Sequence, residues 1–394
     1  MLLKRSILLP IYLSMFLITL SIGSYNPFIP LYAESFGASY IDLGFIGMVY
    51  ALPYAILAGV IGFITDILGR RKFFLIGVLS CILTAPLFIL SSNVSDIILV
   101  RIFGGVAYAF LWPTVEAILS ETSSIKERVK VIGEYSFSWA LGFLIGPFIG
   151  GFILEKYGFI TLFSVSLIIG LGALVPTAYS LKNLKKILVK SKNKLQNFLM
   201  IKNVVNLTFL RRLIQLVFVN FSYGFTLGLL FALFPVYLKS LGITPFQVGL
   251  IFTVFGLTRT ITFLQSGRFS RICGERSLLS LALVIQAFSL LTIVYVRGFI
   301  LFVGSIIILG LAMGIISPVV ISAASKVSGE ERIGTAIGLI ETMLGAGMTI
   351  GPLVGGLIAE KLGEEFPYMV GFLLSLTTII PLITTRGEKL IKYD

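Results

Sequence analysis

Histidine is absent from the 394 residues. The side chain best suited to proton transfer near neutral pH, and the commonest metal ligand, is therefore missing. Cysteine is nearly absent too. Cys81 lies inside an apolar run and Cys273 in a polar turn, so the two do not form a disulfide framework. Charge is scarce: 12% of residues are Asp, Glu, Lys or Arg, where soluble domains carry about 25%. With 57% hydrophobic residues and a mean hydropathy of +1.02, the composition excludes a soluble domain and points to a polytopic membrane protein. Nor is there a nucleophile motif, and with no soluble domain an enzyme is not expected. No cofactor or metal is expected either.

What is there in excess is apolar length and positive charge. Hydropathy divides the chain into twelve spans, at 6–30, 43–65, 73–92, 96–119, 130–152, 159–180, 212–237, 246–267, 277–296, 298–322, 334–358 and 367–385. Each is close to the roughly 20 residues that cross a bilayer. Lys4 and Arg5 before an apolar run look superficially like a signal peptide, but the run is long and no small-residue cleavage site follows cleanly, so it reads as an uncleaved first span. The net charge of +13 could suggest nucleic acid, but no basic-aromatic interleaving suited to base stacking accompanies it. Topology accounts for it instead. Of the 31 Lys and Arg, Lys156, Lys239, Arg297 and Lys361 fall on one side, Arg101 and Arg259 lie inside spans, and the rest share the other side. That side is the cytoplasm by the positive-inside rule, and both termini are expected there. The expected location is the cell membrane.

One polar connection is long. Residues 181–211 separate spans six and seven, leaving a first six-span bundle at 1–180 and a second at 212–394. Leu184, Leu188, Leu195, Phe198 and Leu199 recur at near-helical spacing among lysines. This fits an amphipathic helix on anionic inner-leaflet lipids or a solvated tether. The halves repeat. Gly62 and Gly267 differ by 267 − 62 = 205, and the same offset relates Gly69 to Gly274, Pro113 to Pro318, and Gly146-Pro147 with Gly151 to Gly351-Pro352 with Gly356. The fold class that follows is an all-α membrane protein of two duplicated six-helix bundles.

Between spans two and three runs Gly62-Phe-Ile-Thr-Asp66-Ile-Leu-Gly69-Arg70-Arg71-Lys72. Gly62 and Gly69 allow close helix contact and a sharp turn. Asp66 needs a helix N-terminus or an arginine as partner. In the second copy Arg271 replaces it, so an Asp-dependent contact is expected once. This G-x-x-x-D-x-x-G-R-R-K pattern, in that position, resembles the loop signature of major facilitator superfamily (MFS) transporters. Span five adds Gly142-Phe-Leu-Ile-Gly146-Pro147-Phe-Ile-Gly150-Gly151, which resembles the antiporter motif of drug exporters in that superfamily. Its recurrence in span eleven favours symmetric packing between the halves, through Gly142, Gly146, Pro147, Gly151, Gly351 and Pro352. Span four carries Arg101-Ile-Phe-Gly104-Gly105, similar to the family's R-x-x-x-G motif, whose arginine is associated with proton coupling.

On a helix, Arg101, Gly105, Tyr108, Trp112 and Glu116 fall within about 80° of one another. Lipid does not solvate such a stripe, so it faces a water-filled cavity or a partner; Glu116 alternatively pairs with Arg70 or Arg71. In relatives the loop arginine commonly pairs with an acid at the end of span four, for which Glu116 and Glu121 are available. With Arg101, Glu116 is a candidate for proton coupling; Glu134 and Glu341 are further intramembrane acids and candidate proton carriers, and a structural charge near the interface is the plain alternative. A carboxylate in a low-dielectric cavity holds its proton more tightly, and a nearby arginine loosens it. Spans one, four, seven and ten surround the cavity in the MFS fold. By resemblance, Asn26, Tyr108, Trp112, Asn220 and Tyr223 are therefore candidate substrate contacts, with polar atoms that need partners.

The resemblance implies a secondary transporter in which two bundles rock about a central site. The Gly62–Lys72 loop, with Asp66, Arg70 and Arg71, would act as the switch. Aromatics with few charges favour proton-coupled efflux of hydrophobic or amphiphilic small molecules. The alternative is proton-coupled uptake of a sugar, metabolite or other small solute, and a remote one is a non-transporting receptor or scaffold. Expected partners are a small-molecule substrate, protons and the lipid bilayer, with no nucleic acid; a monomer is expected. Asp66→Asn is predicted to impair switching while leaving equilibrium substrate binding largely intact. Unchanged transport in a flux assay would refute that role.

Overall fold

A computed structural model of the chain describes residues 2–123, 125–184, 207–328 and 333–384. The Asp66 side chain, most of the 181–211 connection and the basic C-terminal tail lie outside the described residues. Among the described residues the regular structure is entirely helical. Eleven helical runs are long and apolar enough to cross a membrane. One of them, Lys130–Leu184, has 55 residues. At 1.5 Å per residue it would be roughly 80 Å if straight, more than twice a bilayer core. It breaks at Gly158, whose φ of 77° only glycine adopts readily, and so supplies spans five and six. With it the spans number twelve. The others are span one (Ile7–Glu34), two (Tyr40–Thr65), three (Arg70–Ile89), four (Val94–Thr122), seven (Leu213–Ala232), eight (Pro245–Cys273), nine (Glu275–Tyr295), ten (Phe299–Ser328), eleven (Ala336–Leu362) and twelve (Phe366–Ile383). Span six continues to Leu184 and the helix carrying span seven starts at Leu207, so the connection is shorter at both ends than 181–211.

The residues cluster into two compact units. Unit 1 comprises Met1–Ala38, Val49–Lys194 and Thr244–Thr253; unit 2 comprises Ser39–Met48, Leu195–Ile243 and Val254–Asp394. These follow the halves of the sequence except for an exchange of the first turns of spans two and eight. Glu155 accepts a hydrogen bond at 2.9 Å from the Phe246 amide in unit 1, and Glu360 one at 2.9 Å from the Tyr40 amide in unit 2. A carboxylate is favourable at such a helix start, where amides lack helical partners. Gly249 abuts Pro147 and Gly151, and its repeat mate Gly44 abuts Pro352 and Gly356. Inside the units the duplication holds to single hydrogen bonds. Tyr32 donates to the Phe88 carbonyl at 2.9 Å, and Tyr237 donates to Ile293 at 3.2 Å; each partner of the second bond lies 205 residues beyond its counterpart in the first (237 − 32 = 205).

The glycine motif is revised by what it touches. A Cβ on Gly142 would run into Thr19, one on Gly146 would come within 2.6 Å of Gly23, and one on Gly150 would overlap the Ser24 carbonyl. Gly351 stands in the same relation to Phe225 of span seven. Gly142, Gly146 and Gly351 therefore pack each half's own first helix rather than joining the halves. Pro147 and Gly151, and Pro352 with Gly356, face the exchanged turns. Gly62 is also revised. A Cβ there would meet only Pro113, at 3.9 Å, and one on Gly267 would meet nothing within 4 Å, so neither makes a close helix approach. Gly69 makes the turn, with φ 95°. Gly150→Ala should lower stability by roughly 1–3 kcal/mol through overpacking. Gly59→Ala, in open space, should be neutral or stabilise by up to ~1 kcal/mol. Thermal unfolding in detergent separates the two, and equal melting temperatures would refute the packing role.

Candidate functional site

Span one is helical to Tyr25, passes through a 3-10 turn at Asn26–Phe28 and resumes as helix. Pro27 and Pro30 lack amide hydrogens, which loosens the helix there. Asn26 sits at that break and reaches span four: Arg101 Nη1 donates to Asn26 Oδ1 at 2.7 Å. The guanidinium carbon lies 3.7 Å from the centre of the Tyr50 ring, within cation–π range. Gly105 explains how Tyr50 comes so close, because a Cβ on it would collide with the Tyr50 carbonyl and lie 3.3 Å from Pro53. The arginine and the glycine four residues on thus act together: one supplies the charge, the other admits the aromatic helix that covers it.

From Tyr50 an aromatic wall runs along unit 1. Tyr50 and Tyr108 centroids are 5.4 Å apart, Tyr108 and Trp112 6.0 Å, Trp112 and Trp139 5.5 Å, and Trp139 and Phe143 6.2 Å. All five side chains are partly exposed. Tyr135, fully buried, supports Trp112 from behind at 6.1 Å, and Glu116 is close enough to act on Tyr135 electrostatically. Tyr108 and Trp112 of the span-four stripe thus lie on one wall, with Tyr50 and Trp139 added. Trp139 had a signal in the composition, since Trp112 and Trp139 are the chain's two tryptophans. Tyr50 had none, because its place depends on Gly105.

Unit 2 holds a different arrangement. Arg259 Nη2 donates to the Tyr223 hydroxyl at 2.5 Å, and Glu341 and Ser317 act on the same tyrosine. Asn220 is buried and its amide donates to the Ile340 carbonyl at 2.7 Å, which pins span eleven one residue before Glu341. Asn220 is thus engaged with backbone, and Tyr223 with an arginine. Glu134 is exposed, lies 3.9 Å from Lys130 and interacts with Tyr12.

At the turn after span two, Arg70 is buried and pairs with Glu121 at 3.1 Å, while Arg71 is exposed. The repeat mates of this pair are Glu275 and Lys326 (275 − 70 = 205 and 326 − 121 = 205), which pair at 2.9 Å. The salt bridge is therefore present in both units with its polarity reversed, and Ser322 donates to Glu275 at 2.6 Å.

Twelve spans, a doubled bundle and these motif residues lead to one family. A family model described as Major Facilitator Superfamily matches residues 11–214 and 216–391. The chain belongs to the major facilitator superfamily. It is accordingly a membrane transporter of a small-molecule substrate, integral to a lipid bilayer, and not an enzyme. It is 26% identical to Multidrug resistance protein 2 of Bacillus subtilis, over 94% of this chain and 93% of that one. It is also 26% identical to the quinolone resistance protein NorA of Staphylococcus aureus, over 96% of each. A crystal structure of the nucleoside transporter NupG superposes with a TM-score of 0.75 at 16% identity, covering 97% of this chain and 100% of that chain, which establishes the shared fold. Arg70→Glu should cost about 1–2 kcal/mol, between exposed and buried pairs. Adding Glu121→Arg should recover most of it, since unit 2 already uses that polarity. Thermal unfolding tests this, and a double variant no better than the single would overturn the interchangeability.

Proposed function

We propose that this MFS transporter is a proton-coupled exporter of hydrophobic or amphiphilic small molecules, working by alternating access in the plasma membrane with both termini cytoplasmic. The carrying observation is the partly exposed wall from Tyr50 through Tyr108, Trp112 and Trp139, with one buried cation at its end. Aromatic faces supply area and stacking with little directional demand, which suits apolar cargo of varied shape. The drug-resistance names of two relatives agree with this reading. The proton gradient is the energy source, and no cofactor enters the cycle.

Glu341 is the proton carrier in this reading. It acts electrostatically on the buried Tyr223 that also accepts a hydrogen bond from Arg259, so gaining or losing its proton changes the charge beside a buried arginine–tyrosine pair. Glu134, beside Lys130 at an exposed position, fits a structural charge. The Arg70–Glu121 pair holds the turn after span two, and its making and breaking would accompany the switch. In liposomes with an imposed pH gradient, the chain should accumulate a lipophilic fluorescent dye. Glu341→Gln should lower accumulation at least about tenfold, the equivalent of 1.4 kcal/mol, while gradient-free dye exchange persists. Glu134→Gln should stay near wild type. Absence of gradient-dependent flux would sink the coupling, and full accumulation by Glu341→Gln would remove that residue from it.

A further inference from the structure

Arg101 carries an uncompensated charge. The residue is 7% exposed. Its Nη1 is bonded to Asn26 and its face is covered by Tyr50. Among the described residues Nε is buried with no acceptor, and the hydrogen bond of the guanidinium is the one from Nη1 to Asn26. Among the described residues no carboxylate pairs with it, the ion pairs there being those of Arg70, Lys130 and Lys326. A charge so placed marks a functional site by default. The scaffold does not need it, because the repeat mate of Arg101 is Ile306 (306 − 101 = 205), which is fully buried in unit 2. The mates of Asn26 and Tyr50 are Phe231 and Phe255 (231 − 26 = 205 and 255 − 50 = 205). The same span closes with an aliphatic side chain there and needs no cage around it.

Arg101 also lines a small cavity with Tyr25, Asn26, Tyr50, Thr84 and Tyr108. The space is about that of one water, enough for a single carboxylate oxygen but not a ring. The side of the guanidinium without an acceptor, Nε and Nη2, offers two donors that converge on one carboxylate oxygen set between them. The aromatic wall leads away from it, starting at Tyr108. We propose that this edge docks the carboxylate head of an amphiphilic anion, with the apolar body lying along Tyr108, Trp112 and Trp139. The inference rests on the wall being the cargo site and specifies the charge of the cargo.

Trp112 and Trp139 make intrinsic fluorescence a reporter of that wall. The full chain in neutral maltoside detergent is titrated at neutral pH with 4-phenylbutyrate, its primary amide and 4-phenylbutylamine. The acid should quench at concentrations at least about tenfold lower than the amide, the worth of a charge-assisted bond. Arg101→Gln should erase the preference and Arg101→Lys should keep part of it. Asn26→Asp, which gives the guanidinium a resident carboxylate, should erase it with the cation still present, and decides the matter if Arg101→Gln does not fold. An amide or amine that matches the acid, no quenching by the acid, or a preference that survives Arg101→Gln or Asn26→Asp overturns the proposal. Dye flux is read separately. Flux without acid preference overturns the anionic head alone, and acid preference without flux overturns only the gradient coupling.

Discussion

Backbone-to-backbone contact between spans one and five sets the frame of unit 1. Gly142, Gly146 and Gly150 present no Cβ to the Thr19–Ser24 segment, so the two helices meet closely along three turns. In a bilayer, apolar burial gives helices little reason to prefer one another over lipid, and close packing of small residues supplies the preference. Two elements of the site depend on this contact. Span one is held where Asn26 meets Arg101, and span five is rotated so that Trp139 and Phe143 join the aromatic wall. Gly347 and Gly351 repeat the contact against Phe221 and Phe225 of span seven. There it brings Asn220 onto Ile340 and sets Glu341 beside Tyr223.

The duplicated frame carries unlike chemistry. Arg101 corresponds to an isoleucine, and Arg259 occupies the repeat position of Tyr54 (259 − 54 = 205). Arg101 and Arg259 are each held by a tyrosine, but on different helices and with different company: an amide and aromatic rings in one, a phenol near a carboxylate in the other. Close helix contacts constrain backbone, which both copies retain. Side chains on the open stripe are not needed for packing and are free to diverge. The paired ends of the fold show the same logic. Arg70–Glu121 and Glu275–Lys326 keep an attraction at one place while exchanging its signs, because an ion pair depends on the product of the charges and not on which helix bears which.

Span four shows what reading the chain in one dimension reveals. The helical repeat places Arg101, Tyr108 and Trp112 on one stripe, since 100° per residue is a property of the helix alone. That Tyr50 covers the arginine follows from Gly105, and no spacing within span four announces it. The glycine motif of span five was legible as a packing element, but its partner was not. A small-residue face says that something comes close without saying what. The same holds for Gly62, whose face is open, and for Arg70, whose partner among the available acids is Glu121.

The amino-acid order by itself determined the twelve apolar lengths, the duplication at 205 residues and the family, because length, hydrophobicity and repeated glycines are recorded along the chain. Only the tertiary structure decided that Arg101 stands among tyrosines with no carboxylate paired to it among the described residues, that both tryptophans share one wall and that the repeated ion pair is reversed. Those facts depend on how far each helix is turned about its own axis. That rotation is set by contacts between residues distant in sequence, where the presence or absence of a single Cβ decides which faces meet.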